Sequence, residues 1–308
     1  MSSPRDDDPF DCFDGDDESN TEIDQDADGL YQSARVPKRH AECGVLAFHA
    51  GTERALLTHV ENQLAFTDKE STSESVLQAI DEFCVERHWM MHVGNEKSAV
   101  IANFLNQCLA SRETPLTVVE LGTYCGYSAV RLGQTLQQAH CPDCHIYTVE
   151  INPHYAAIAQ RLIRLAKLDK LITILLLDDA ESDLVSLLKS KLGDKTIDFL
   201  FLDHDKDVYL ADLQKLERTL IVRGTHVAAD NIIFSQIDNY RIYVKALSAQ
   251  GIVDTKLVET QLEYSEPDAN DSNRDALRDG IGESSVFVCS DPMCSNEHFL
   301  VVPTLRIS

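Results

Sequence analysis

Residues 199 to 206 read Phe199-Leu200-Phe201-Leu202-Asp203-His204-Asp205-Lys206, and residues 227 to 231 read Val227-Ala228-Ala229-Asp230-Asn231. Each is an apolar run that ends in oxygen donors. Asp203, Asp230 and Asn231 offer two carboxylates and an amide carbonyl, a donor set suited to a hard, oxygen-preferring cation, and Lys206 stands beside them. In an open parallel α/β sheet the C-terminal ends of such strands form the ligand-binding edge. This pattern is that of an enzyme.

A second set of residues implies a nucleoside cofactor. The run Glu120-Leu121-Gly122-Thr123-Tyr124-Cys125-Gly126-Tyr127-Ser128 places a sharp turn between a strand and a helix whose free N–H groups face the crevice. Thr148-Val149-Glu150-Ile151-Asn152 places an acid at the end of the next strand, where a carboxylate accepts hydrogen bonds from both hydroxyls of a ribose. The G-x-G-x-x-G fingerprint of dinucleotide binding and the P-loop are both absent. A Glu-x-Gly-x-x-x-Gly turn with an acid at the end of the second strand instead resembles that of the S-adenosylmethionine-dependent methyltransferases of the Rossmann-like class.

These residues need strands and helices in alternation. Strand-like runs at Leu116–Leu121, Ile146–Val149, Leu171–Leu177, Ile197–Leu202 and His226–Ala229 alternate with helical stretches near 127–139, 154–167, 182–192, 207–220 and 237–249. Such βαβ units imply a mostly parallel sheet with helices on both faces. Two later strands, Lys256–Leu262 and Ser285–Cys289, imply an antiparallel C-terminal hairpin, for seven strands in all. Three helices precede the sheet. The first carries Leu56, Val60 and Leu64, the second follows a Ser71-x-x-Glu74 capping box, and the third spans Ser98–Leu109.

Composition bounds the rest. The chain has 308 residues and a formal charge of −24, of which residues 1–30 supply −11, twelve acids against Arg5 alone. An acidic block without apolar periodicity predicts disorder, and an acidic chain is a poor partner for nucleic acid or anionic lipid. Residues 1–48 are expected to form a disordered tail, 49–290 the catalytic domain and 291–308 a C-terminal extension. The N-terminus lacks the charged-then-apolar pattern of a secretory signal, and no apolar run reaches membrane-spanning length, so a cytoplasmic protein without membrane contact is expected. Nine cysteines in such a chain read as mostly reduced, and Cys141-Pro142-Asp143-Cys144 as a turn. Asp24-Gln25-Asp26-Ala27-Asp28-Gly29 opens like a calcium loop, but its twelfth position is Arg35 where a bidentate Glu is required.

The chain resembles the catechol O-methyltransferases between about Gly51 and Cys289. The resemblance rests on Glu120–Ser128, Glu150-Ile-Asn-Pro153, Phe201-Leu-Asp-His-Asp-Lys-Asp207, Ala229-Asp-Asn231, Leu262-Glu-Tyr264 and Trp89–Lys97. It implies a Rossmann-like methyltransferase fold that uses S-adenosylmethionine and Mg2+. By the same resemblance Asp203, Asp230 and Asn231 ligate the metal and Lys206 is the general base. Glu263 holds the second acceptor hydroxyl, and Trp89, Lys206, Asn231 and Glu263 contact the acceptor. Met91, Val93, Glu120, Gly122, Tyr124, Ser128, Glu150, Ile151, Ser182, Asp203 and His204 surround the cofactor. The expected partner is a catechol-like small molecule, and the expected state is a monomer.

The chain departs from the family pattern at Asp205, where an aromatic wall is common, at Ser235, where Pro is common, and in a longer stretch over 265–280. A larger ortho-diphenol acceptor and a non-catalytic, cofactor-binding regulatory protein therefore stay open as alternatives. If the acidic tail is dispensable, deleting residues 1–48 should leave the melting temperature and turnover within experimental error of the full chain. A loss in either measurement would show that the tail docks on the domain.

Overall fold

The computed structural model describes residues 24–25, 31–32, 52–66, 71–86, 90–111, 115–141, 143–177, 183–233, 237–261 and 278–286. In chain order the elements are β1 (Asp24–Gln25), β2 (Tyr31–Gln32), α1 (Thr52–Phe66), α2 (Ser73–Glu86), α3 (Gly94–Ala110), β3 (Thr117–Leu121), α4 (Tyr127–Gln138), β4 (His145–Glu150), α5 (Pro153–Leu165), β5 (Ile172–Leu176), α6 (Leu184–Leu192), β6 (Ile197–Leu202), α7 (Tyr209–Glu217), β7 (Ile221–Ala229), α8 (Asp238–Ala249), β8 (Val253–Gln261) and β9 (Arg278–Val286). Within the acidic tail, β1 and β2 pair antiparallel, a local ladder in a segment expected to be disordered throughout.

The main sheet has seven strands in the order β5-β4-β3-β6-β7-β9-β8. The first five run parallel, and β9 is antiparallel to both β7 and β8. The expected sheet with its antiparallel hairpin is present. Strand order reverses at β3, which pairs with β4 on one side and β6 on the other, so a crevice opens beyond the C-terminal ends of β3 and β6.

Both faces of the sheet are buried because successive residues of its central strands feed different cores. Phe199 and Phe201 of β6 join the core under α1 to α5, with Val118, Ile146 and Ala228. Leu200 and Leu202 join the core under α6 to α8, with Val119, Val149, Val227 and Ala229. No helix among the described residues is long and apolar enough to cross a membrane.

Several element boundaries differ from the sequence reading. Strand β7 begins at Ile221 rather than His226, because Val222, Arg223, Gly224 and Thr225 are looped into a register shift between Ile197/Ile221 and Phe199/His226. Thr225 Oγ1 donates to the Ile197 carbonyl at 2.7 Å and accepts from Val222 N–H at 3.1 Å, which ties the bulge down. Strands β8 and β9 both start earlier than expected. The polar, glycine-bearing sequence of β9 pairs through its backbone with strands on both sides, and residues 287–289 lie outside the described residues.

The cap of α2 is also shifted by one residue. Thr72 and Ser75 exchange hydrogen bonds from backbone N–H to hydroxyl at 2.9 and 3.2 Å, while Ser71 Oγ reaches away to the Leu165 carbonyl at 2.6 Å. Helix α3 begins one turn before the expected Ser98. Cys141 and Cys144 form a disulfide where a simple turn was expected, since the tight connection brings their Cα atoms to 5.6 Å. Cys84, Cys108 and Cys125 are buried thiols that take no part in a disulfide.

A cavity of about 20 Å³ lies between α7, α8, β7 and β8, lined by Leu213, Glu217, Tyr240 and Val244 among others. Burial there pushes the Glu217 carboxyl up to about 7, although Tyr243 Oη donates to Glu217 Oε2 at 2.6 Å. A folded-state value above the unfolded one favours the folded protein at low pH, and that contribution is lost as pH rises from about 4.5 through 7. Glu217→Gln, which cannot ionise, should therefore lose less stability between pH 5 and pH 8 than the wild type, as followed by urea denaturation. An identical pH dependence for both proteins would refute the buried acid.

Candidate active site

The cofactor side of the crevice is a turn of alternating backbone handedness. Gly122, Tyr124 and Gly126 have φ of +96°, +46° and +87°. A Cβ on Gly122 would lie 2.2 Å from the Asp203 carbonyl oxygen, so only glycine lets β3 turn against the end of β6. At Gly126 a Cβ would meet the Ala159 Cβ at 3.1 Å, and its absence lets the start of α4 sit close to α5.

The turn is organised by two buried acids. Glu150 Oε2 accepts from Tyr124 N–H at 2.7 Å, and its Oε1 accepts from the N–H groups of Ile151 and Asn152 at 2.9 Å each. Burial raises the Glu150 pKa, against the opposing pull of these backbone donors. Glu120 is fully buried at the end of β3. Its Oε2 accepts from Thr148 Oγ1, and Ser128 also hydrogen-bonds to its carboxyl. Its Oε1 has no partner among the described residues. Burial pushes Glu120 up to about 8. An orphaned carboxylate oxygen beside a helix start suits the ammonium of an amino acid, which would satisfy both the charge and the open acceptor.

Residues that sequence reasoning did not single out complete this side. Glu53, buried on α1, accepts from Tyr124 Oη at 3.0 Å, and Tyr155 packs edge-on against the Tyr124 ring at 4.9 Å. His92, between Met91 and Val93, lies against the rings of Tyr124 and Tyr127 at 5.2 and 5.6 Å. Met91 and Val93 flank it in the chain, just before α3. Ile151 is exposed at the end of β4. A glutamate at the first turn of an amphipathic helix carries no sequence signal for an inward position. Its burial follows only from how α1 docks.

The other side of the crevice carries the oxygen donors. Asp203 Oδ1 accepts from Lys206 Nζ at 2.9 Å, and Lys206 Nζ also donates to Tyr209 Oη at 2.7 Å. Tyr209 is fully buried, with its hydroxyl 2.8 Å from the Leu202 carbonyl and 3.3 Å from the Asp230 carbonyl. That one hydroxyl ties the ends of β6 and β7 into a single site. Asp230 Oδ1 accepts from Asn231 N–H at 2.7 Å, and Asn231 adopts φ of +56°, a left-handed residue at the strand end. Lys97, buried on α3, donates to both Asp230 oxygens at 2.7 and 2.8 Å. His204 stacks on Tyr209 and has its Nε2 3.2 Å from Asp212 Oδ2. Burial would raise the Asp212 pKa, but His204 and Lys215 outweigh it and hold the group below the usual range.

Asp205 is exposed and caps the 3-10 turn at Lys206–Val208, with Oδ1 accepting from Asp207 N–H at 3.0 Å. Lys206 thus opens a 3-10 turn that leads into α7, rather than α7 itself. Trp89, Ser182, Ser235 and Glu263 lie outside the described residues. Among the described residues, no three His, Cys, Asp or Glu side chains gather into a metal-binding group. The expected set contains only two carboxylates, with Asn231 as its third oxygen donor. Its chemistry fits magnesium, which binds through one or two carboxylates and retains several waters.

Comparison with known proteins bears on the family and the fold. A family model described as O-methyltransferase matches residues 67–239. Catechol O-methyltransferase from Bos taurus is 37% identical over 204 residues, covering 66% of this chain and 70% of that protein. The Mus musculus enzyme of the same name is 38% identical over 198 residues, covering 64% and 69%. An O-methyltransferase from Streptomyces achromogenes, solved with SAM, superposes with a TM-score of 0.52 at 17% identity, over 75% of this chain and 96% of that one. That last likeness bears on the fold. With the family model spanning more than half the chain, and with these relatives matched over more than two thirds of their length, the chain belongs to the S-adenosylmethionine-dependent O-methyltransferases of the catechol O-methyltransferase family.

Proposed function

We propose that this methyltransferase transfers its methyl group to one hydroxyl of a catechol-like small molecule, with magnesium held by Asp203, Asp230 and Asn231. The observation that carries the reading is the Tyr209 hydroxyl, which contacts Lys206 Nζ, the Leu202 carbonyl and the Asp230 carbonyl together. It supports one site built from two strand ends rather than two unrelated acidic turns. The names of the relatives point to the same acceptor class.

S-adenosylmethionine supplies a methyl group open to direct displacement, so the protein's task is to align an oxygen nucleophile and deprotonate it. Magnesium, when bound, supplies Lewis acidity toward the acceptor hydroxyls. In this reading Lys206 takes the acceptor proton at Nζ. The proton it gains is stabilised by Asp203 Oδ1 at 2.9 Å and Tyr209 Oη at 2.7 Å. Glu120 and Glu150 orient the donor, the first toward its ammonium and the second toward its ribose. The Gly122 turn keeps the donor close to the end of β6. Glu263 is assigned to the second acceptor hydroxyl on the strength of the resemblance alone.

Two measurements test this reading. Turnover of a small diphenol panel with labelled S-adenosylmethionine should vanish in excess chelator and return with Mg2+. Asp203→Ala should lower turnover by more than the roughly 10–100-fold seen when an outer partner of a metal ligand is lost. Full turnover under chelation would remove the metal from the proposal. Separately, Glu150→Ala should weaken S-adenosylmethionine binding by roughly 1.5–3 kcal/mol, the cost of losing a charge-assisted hydrogen bond. Calorimetric titration without acceptor reads this directly, and an unchanged affinity would place the ribose elsewhere.

A further inference from the structure

The proposal that follows rests on the magnesium reading given above. Lys97 is one of the largest fully buried side chains of the protein, with 1% of its surface exposed, and its partner Asp230 is 3% exposed. It lies in the apolar register of α3, whose buried positions are Gly94, Lys97, Ser98, Ile101, Phe104, Leu105 and Cys108. A lysine in the middle of such a stripe is a costly placement, because an ammonium leaves water only for a strong compensating partner. Asp230 provides it, with Nζ at 2.7 and 2.8 Å from the two carboxylate oxygens.

We propose that Lys97 is the internal counter-ion of the metal-binding carboxylate Asp230, stabilising the fold when no metal is bound and weakening the hold of the site on a divalent cation. It is a positioning residue that acts through Asp230. Two effects follow from one charge. Lys97 compensates a buried carboxylate that would otherwise destabilise the fold until a metal arrived. It also sets a fixed positive charge within one carboxylate of the metal position, in surroundings of low dielectric, where like charges repel strongly. Lys206 plays a comparable part at Asp203, but it is partly exposed, with 23% of its side chain accessible. It can swing away toward solvent or acceptor, whereas Lys97 is enclosed by the α3 core.

The test uses the full chain, Mn2+ as the probe cation, and Lys97→Met, which keeps the length of the side chain without its charge. Two readings are taken: Mn2+ affinity by calorimetry or by its electron paramagnetic resonance signal, and the melting temperature with and without Mn2+. The wild type should bind Mn2+ and melt only slightly higher with it than without it, because its weaker hold on the cation returns little stability. Lys97→Met should bind Mn2+ about a hundredfold more tightly. Without the cation it should melt about 10 °C below the wild type, and most of that gap should close when the cation is added. Equal affinities, or a melting loss that the cation does not repair, would overturn the proposal.

Should Lys97→Met fail to fold, the double variant Lys97→Met/Asp230→Asn, with neither charge left to bury, should regain much of the wild-type melting temperature while losing the Mn2+ site. A double variant that stays unfolded would show that Lys97 is needed for packing, against the proposal. A wild type that binds no Mn2+ would instead sink the magnesium reading, and this inference with it. The two failures are thereby told apart.

Discussion

The backbone of Gly122 rests against the backbone of Asp203, at a distance that leaves no room for a single extra carbon. Everything proposed for this site hangs on that approach. Strand order reverses between β3 and β6, and the crevice is there because α4 and α7 leave the two strand ends in different directions. The turn after β3 carries the donor side, with Glu120 and Glu150 behind it. The end of β6 carries Asp203 and Lys206. A methyl group must travel from one side to the other along a straight line, so the side chains of a methyltransferase can be placed well only if these two backbones touch. The glycine is therefore a constraint on chemistry as much as on folding.

The second constraint is charge. The crevice concentrates carboxylates in a chain that is already strongly acidic, and the structure handles each of them differently. Glu150 is held by three backbone N–H groups, a fixed dipolar cradle that keeps the carboxylate in place. Glu120 is left with one oxygen unpartnered among the described residues, and burial pushes its carboxyl toward the neutral form until a cation can face it. Asp203 and Asp230 are each given a lysine. Buried charge is tolerated only with such partners, and removing one partner costs more than the pair contributes to stability. The same economy explains why Tyr209, with no formal charge, sits where Lys206, Asp230 and the end of β6 converge. A hydroxyl can accept from the ammonium and donate to a carbonyl without adding to the excess of negative charge.

How much of this was legible beforehand depends on whether the signal is local. Apolar runs ending in Asp203 and in Asp230-Asn231, the Glu120–Ser128 turn and Glu150 all stand next to strands in the sequence, and a strand end points where its sheet points. Their placement at one edge follows from alternation of strand and helix alone. Trp89, Ser182 and Glu263, expected at the site from the resemblance, fall outside the described residues. The boundaries that moved did so where backbone pairing overrode side-chain pattern. The bulge in β7 is closed by Thr225, and β9 is a polar strand held by its two neighbours.

The sequence by itself determined the class of the fold, the glycine turn and the identity of the oxygen donors, because each is written in neighbouring residues with a period of two or a fixed spacing. Tertiary structure alone decided that Glu53 reaches Tyr124 across 71 positions and that Lys97 reaches Asp230 across 133. Neither residue differs by type from an ordinary charged position on a helix. What separates them is which face of α1 and of α3 turns inward when those helices dock, and that depends on packing between elements far apart in the chain. A lysine in the apolar register of α3 was the one trace of it in the sequence, and it becomes visible only once the helix is seen to start a turn earlier, at Gly94.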